Sequence, residues 1–173
     1  MDNTEKIILA GGCFWGVEAY YKRVKGVLAT RVGYAQGTKE DPNYKEVCEG
    51  NTGHAEVCDV IFDEEVISLE KILEHFFRII EPTSLNRQGG DTGTQYRTGI
   101  YYNLNDDEEL IKKVIEEEQK KYKEKIVTEV APLDFFYDAE DYHQEYLQKN
   151  PSGYCHVNFS LIKPEERQDP IEN

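Results

Sequence analysis

The chain has 173 residues, 39% hydrophobic and 12% aromatic with twelve tyrosines, enough to bury about two thirds of the unfolded surface in one core, which excludes global disorder. Thirty-four acidic residues against twenty basic ones give a net charge of -14, which repels phosphate backbones and excludes nucleic acid as a partner. The apolar run Ile7 to Gly11 is far too short for a signal sequence or a membrane span, so the expectation is a soluble, cytoplasmic monomer with no membrane association.

In chain order, Lys6 to Ala10 reads as a short strand that ends in Gly11 and Gly12. A helix follows, with Val17, Tyr20, Tyr21 and Val24 on one face and Gly26 at its close. Val27 to Ala35 and Ala55 to Phe62 are the next strands, separated by a long polar loop of the kind that often carries function. Leu69, Ile72, Leu73, Phe76 and Ile80 form an amphipathic helix with Ser68 as N-cap, stopped before Pro82. After the polar stretch SLNRQGGDTGTQYR come a strand from Thr98 to Asn103, a charged helix with Leu110, Ile111, Val114, Ile115 and Tyr122 inward, and a strand from Ile126 to Ala131. Asp141 to Lys149 reads as a last short helix, ended by Asn150 before Pro151.

The order β-α-β-β-α-β-α-β predicts an α+β fold, a two-layer split βαβ sandwich of the ferredoxin-like type with long loops. Residues 1–155 then form a single catalytic domain, and residues 156–173 an extended C-terminal tail.

Four cysteines, Cys13, Cys48, Cys58 and Cys155, show no CxxC pair and no zinc spacing, so neither metal nor other cofactor is expected. A reducing cytosol also disfavours a disulfide framework, which leaves inert core thiols or a transient redox pair. Cys13 lies where a strand turns into a helix, and the free N–H groups and dipole of a helix start favour a thiolate. The plain alternative is a buried cysteine in a tight turn. Phe14 and Trp15 follow it directly and cannot both enter the core, so at least one should wall a pocket suited to a methyl or thioether group.

Strand alternation in GHAEVCDVIF puts Glu56 on the face of Cys58, Val60 and Phe62, where poor solvation raises its pKa and suits it to act as a general acid. A solvated strand end is the other reading. His54 before that strand is read as a backbone partner in the loop. Asp91 and Tyr96 sit in a glycine-rich loop where a tyrosine hydroxyl can donate to a developing oxygen charge. Cys155, in NPSGYC after a helix break, can resolve an oxidised first thiol or be functionless.

Five motifs, GCFWG at 12 to 16, GY at 33 and 34, NYKEVCEGNTGHAE at 43 to 56, NRQGGDTGTQYRTGIY at 86 to 101 and AEDYHQEYLQKNPSGYC at 139 to 155, resemble those of the A-type peptide methionine sulfoxide reductases. The similarity runs from about Lys6 to Cys155. One departure is GYAQG, where Gln36 stands in place of a family glycine. The resemblance implies that Cys13 is the nucleophile, Phe14 and Trp15 the methyl pocket, Glu56 the acid, Tyr44 and Tyr96 the hydroxyls on the sulfoxide oxygen, with Asp91 in support. It further implies the S epimer of methionine sulfoxide as substrate, free or in peptides and proteins. Cys155 would resolve the Cys13 sulfenic acid to a disulfide that thioredoxin reduces. Cys48 and Cys58 are read as bystanders. Two rivals remain: a thiol peroxidase, and a noncatalytic module that binds methionine segments.

Overall fold

The computed structural model describes residues 3–104 and 106–172. Its main sheet is built around β1 (Thr4–Gly11), β2 (Val27–Ala35), β3 (Ala55–Asp63) and β6 (Thr98–Tyr102). The short β7 (Glu129–Pro132) and β8 (Phe136–Asp138) extend the edges, giving the order β7-β6-β1-β3-β2-β8. Every neighbouring pair is antiparallel except β6 with β7. The fold is therefore mixed α+β. A separate two-stranded hairpin joins β4 (Arg87–Gln88) to β5 (Asp91–Thr92).

Helices α1 (Phe14–Lys22) and α3 (Leu69–Ile79) pack on one face of the sheet, where Ile7, Leu9, Val17, Val60, Phe62, Ile72 and Phe76 are among the residues of the main core. Ser68 caps α3 by accepting from the Lys71 N–H at 3.1 Å. On the opposite face a small cluster of Ile8, Ala10, Ala35, Ala55, Val57 and Tyr101 is covered by Leu133 and Phe136. Because both faces are covered, β3 is buried along nearly its whole length. Helix α4 (Asp107–Gln119) buries Ile111 while its first residue, Asp107, bonds Glu5, and Tyr122 lies beyond its end, half-buried.

Several elements differ from the pattern-based reading. The five-residue α2 (Tyr44–Cys48) lies inside the first polar loop, started by a capping box between Asn43 and Glu46. The strand expected from Ile126 begins only at Glu129, because the Ile126 and Val127 N–H groups donate to Gln119 and Pro82 instead. The helix expected over 141–149 is a 3-10 turn, Asp141–His143, followed by α5 (Tyr146–Lys149). Glu145 breaks it with a left-handed φ of 55°, held by its N–H to Glu18 at 2.7 Å and its carboxylate on buried Lys22 at 2.9 Å.

Residues 157–171 carry two short 3-10 turns and lie against α1 and α3. Arg23 sits 4.3 Å over the Phe159 ring, and Glu166 accepts from Arg78 at 2.7 and 3.0 Å and from Lys71 at 2.8 Å. Among the described residues no helix is long and apolar enough to cross a membrane.

Candidate active site

Where β1 ends, Gly12 takes a left-handed φ of 88° and swings the chain into α1, leaving Cys13 as the N-cap with φ -56° and ψ 121°. Cys13 is 7% exposed. The N–H groups of Trp15 and Gly16 favour its thiolate, as a helix start should, yet they are outweighed. Burial, helped by the Glu56 and Asp91 carboxylates, pushes the thiol well above its ordinary value. The resting thiolate expected from the helix start is thus corrected: in the free protein the group is a protonated thiol.

Glu56 is 1% exposed, opposite Tyr34 in the β2–β3 register and on the helix side of the sheet with Cys58, Val60 and Phe62. Its Oε1 accepts the Phe14 N–H at 3.1 Å, and its Oε2 is buried with no partner among the described residues. Burial, aided by Asp91, raises its pKa to about 8 against the opposing pull of the Phe14 N–H, so the carboxyl holds a proton at neutral pH.

Two tyrosines complete the polar side. Tyr96 ends the 3-10 turn Thr94–Tyr96, and burial followed by the fields of Glu56, Cys48, Asp91 and Cys13 raises its pKa. Tyr44, the first residue of α2, bonds the Cys48 thiol through its hydroxyl and donates its N–H to Glu140 at 2.9 Å. Both phenols remain protonated donors. Asp91 on β5 has one buried oxygen without a partner among the described residues and bonds the Tyr154 hydroxyl.

The apolar side is aromatic. Phe14 is fully buried against Tyr34, Tyr44 and His143, with ring centroids 5.8, 6.4 and 5.1 Å away. Trp15 is half-buried, stacked on Tyr146 at 3.8 Å, and its Nε1–H donates to His143 Nδ1 at 2.9 Å. His143 and Glu140 escaped the sequence reading. His143 orients Trp15 and packs 4.4 Å from Tyr44, while Glu140 bridges the Tyr44 N–H to the Tyr34 hydroxyl. Their only signal was their place inside AEDYHQEYL.

Cys155 is half-buried, and its Sγ lies 3.2 Å from where a Cβ on Gly16 would stand, within one helical turn of Cys13. Its thiol donates to the Val157 carbonyl at 3.3 Å. Cys58 is fully buried in the core, and Cys48 is exposed beside Tyr44. His54 accepts from the Gly37 N–H at 3.1 Å and donates to the Lys39 carbonyl at 2.7 Å, a loop-pinning role.

A helix-start thiol facing a protonated carboxyl, with phenolic donors on one side and aromatic rings on the other, has the groups of a thiol oxidoreductase for a small apolar oxide. A family model described as peptide methionine sulfoxide reductase matches residues 5–172. A peptide methionine sulfoxide reductase MsrA of Clostridium botulinum is 59% identical over 90% of this chain and 99% of its own length. That of Alkaliphilus metalliredigens is 60% identical over 91% and 99%. Among solved structures, reduced Mxr1 from Saccharomyces cerevisiae superposes with a TM-score of 0.84 at 43% identity, covering 90% of this chain and 91% of that one. Mxr1 in complex with Trx2 gives 0.60 at 32% identity, covering 83% and 84%. The chain belongs to the peptide methionine sulfoxide reductase family. Its reaction is the reduction of the S epimer of methionine sulfoxide to methionine.

Proposed function

We propose that Cys13, Glu56, Tyr44, Tyr96, Asp91 and Cys155 carry this reaction, with Phe14 and Trp15 holding the substrate methyl group. The sulfoxide methyl rests on the two aromatic rings while its oxygen takes hydrogen bonds from the Tyr44 and Tyr96 hydroxyls. Glu56 passes its proton to that oxygen, which makes the sulfur electrophilic, and receives the Cys13 thiol proton as the sulfur atom attacks. Oxygen moves to Cys13, methionine leaves, and thiol plus sulfoxide have become sulfenic acid plus thioether. Cys155 then displaces hydroxide from the sulfenic acid, giving water and a Cys13–Cys155 disulfide. Thioredoxin reduces that disulfide by exchange and returns both thiols.

The observation that carries this reading is the Phe14 N–H bond to Glu56 Oε1, which leaves Oε2 buried and without a partner among the described residues. The test is an assay with separated S and R sulfoxides of a blocked methionine and dithiothreitol as reductant. Only the S epimer should be consumed, and Cys13→Ser should consume neither. Hydrogen peroxide turned over faster than the S sulfoxide would favour the peroxidase reading instead.

The antiparallel run β6-β1-β3-β2, with α1 and α3 as its two crossovers, supports the split βαβ, ferredoxin-like description. We read the location as cytoplasmic from the cysteine spacing, which forms no disulfide framework of the secreted type. We read residues 1–155 as the single catalytic unit and the segment after Cys155 as a tail fastened to it.

A further inference from the structure

Residues 154–157 cross the turn that carries Cys13, and their side chains fall alternately on the glycines around it. Cys155 and Val157 face Gly16, with Sγ at 3.2 Å and Cγ2 at 3.0 Å from the position of a Cβ there. His156 faces Gly12 and Gly89, its Nε2 3.2 Å and its Cβ 3.1 Å from the corresponding positions. Among the described residues, no backbone–backbone hydrogen bond ties 154–157 to another segment. Side chains must hold this segment in place, and Tyr154 reaches the loop of Asp91, not the catalytic turn.

The polar link to the turn itself is His156, whose Nε2 lies 3.1 Å from the Gly11 carbonyl oxygen. A carbonyl only accepts, so Nε2 carries the hydrogen and donates. That fixes the tautomer and leaves Nδ1 as an acceptor, buried and without a partner among the described residues.

We propose that His156 is a positioning residue for the disulfide-forming half of the reaction, its Nε2–H bond to Gly11 tying the segment of Cys155 to the turn of Cys13. The inference rests on Cys155 being the resolving thiol. In that half, the Cys155 sulfur bonds to Cys13, the sulfenic S–O bond breaks, and the thiol proton leaves with the hydroxide as water. No outside oxidant enters. Holding the attacking sulfur over Gly16 turns a loop search into a local displacement, as fixed reactant geometry does generally.

The test separates the two halves in the full-length, pre-reduced chain. One equivalent of the S sulfoxide is added without reductant, and methionine released and free thiols lost are followed by rapid quench. His156→Ala should release about one methionine per chain at the unaltered rate but close the disulfide at least tenfold more slowly. His156→Gln, whose amide N–H can reach the Gly11 carbonyl, should recover most of that rate. Disulfide closure at the unaltered rate in His156→Ala overturns the proposal. So does a glutamine variant as slow as alanine, since the unpaired Nδ1 would then be the atom that matters. If His156→Ala does not fold, His156→Asn, with its shorter amide, replaces it against His156→Gln under the same criteria. A parent chain that closes no Cys13–Cys155 disulfide at all refutes the resolving role of Cys155, a result distinct from any variant's behaviour.

Discussion

The Phe14 N–H meets Glu56 Oε1 at 3.1 Å, so the residue next to the nucleophile holds the carboxyl that faces it. Burial raises the Glu56 pKa from 4.5 to about 8. Between those values the folded chain keeps a proton that the unfolded chain has lost, so stability falls as pH rises from about 4.5 to 8 and then levels. Glu56→Gln keeps the Oε1 acceptor but has no proton to give. It should cut turnover roughly 10²- to 10⁴-fold and at pH 9 be more stable than the parent by a few kcal/mol. Parent activity should decline above about pH 8. Urea unfolding at pH 6 and 9 with steady-state assays checks both; an acid-independent rate in the parent would refute the acid role.

The two glycines of GCFWG separate turn geometry from clearance. A Cβ on Gly12 would stand 2.6 Å from Gln88 Cβ with φ at 88°. Gln88 cannot retreat, since both ends of its amide bond the Glu81 backbone at 2.8 and 2.9 Å. Gly12→Ala should therefore cost on the order of 1–3 kcal/mol. Gly16 has ordinary helical φ, so Gly16→Ala gains about 1 kcal/mol of helix propensity while pushing Cys155 and Val157 by a few tenths of an ångström. The two effects nearly cancel in stability. Its signature should be slower disulfide closure with methionine release intact, read by the same quench experiment.

Glu166 fastens the C-terminal segment through Arg78 and Lys71, and these partners, Arg78 first, hold its carboxyl well below the usual range. A depressed carboxyl pKa contributes stability that is complete above the unfolded value near 4.5 and is lost as pH falls below it. Glu166→Gln should lower stability at pH 7 by about 1 kcal/mol, because Arg78 and Lys71 are still partly solvated and can find water. It should also flatten the acid limb of an unfolding titration below pH 4.5. Equal acid sensitivity in the two chains would show that the clamp does not hold the tail.

What was legible came from periodicity. Glu56 betrays its face because it alternates with Cys58, Val60 and Phe62, and α3 announces itself through Ser68 and an apolar stripe. Short elements escaped: α2 has five residues and β8 three, too few to show a period, although Asn43 and Glu46 form the N-x-x-E of a capping box. Glu140 and His143 acquire meaning only beside Tyr34, Tyr44 and Trp15, partners about 100 or more positions away. The thiol's raised pKa was hidden for the same reason. The helix start was visible, whereas the distant segment packed on the glycines around Cys13 was not.

Gln36, which stands where the resemblance leads one to expect a glycine, adopts a left-handed φ of 69°. For a residue with a Cβ that conformation costs roughly 1–2 kcal/mol. Two contacts offset it: Nε2–H donates to the Pro132 carbonyl at 3.2 Å, and Oε1 accepts the Asp134 N–H at 2.7 Å. At about 0.5–1.5 kcal/mol each, they roughly balance the strain. Gln36→Gly relieves the strain, loses both bonds and adds unfolded-chain entropy worth about 0.4–1 kcal/mol, so the last effect decides the sign. The variant should be destabilised by about 1 kcal/mol in urea unfolding, with turnover of the S sulfoxide unchanged. Gln36→Ala keeps the strain without the bonds and should be the less stable of the two, by a further 1 kcal/mol or so. A stabilised glycine variant would mean that the bonds to Pro132 and Asp134 contribute nothing, and that the strain at Gln36 is carried by the rest of the fold.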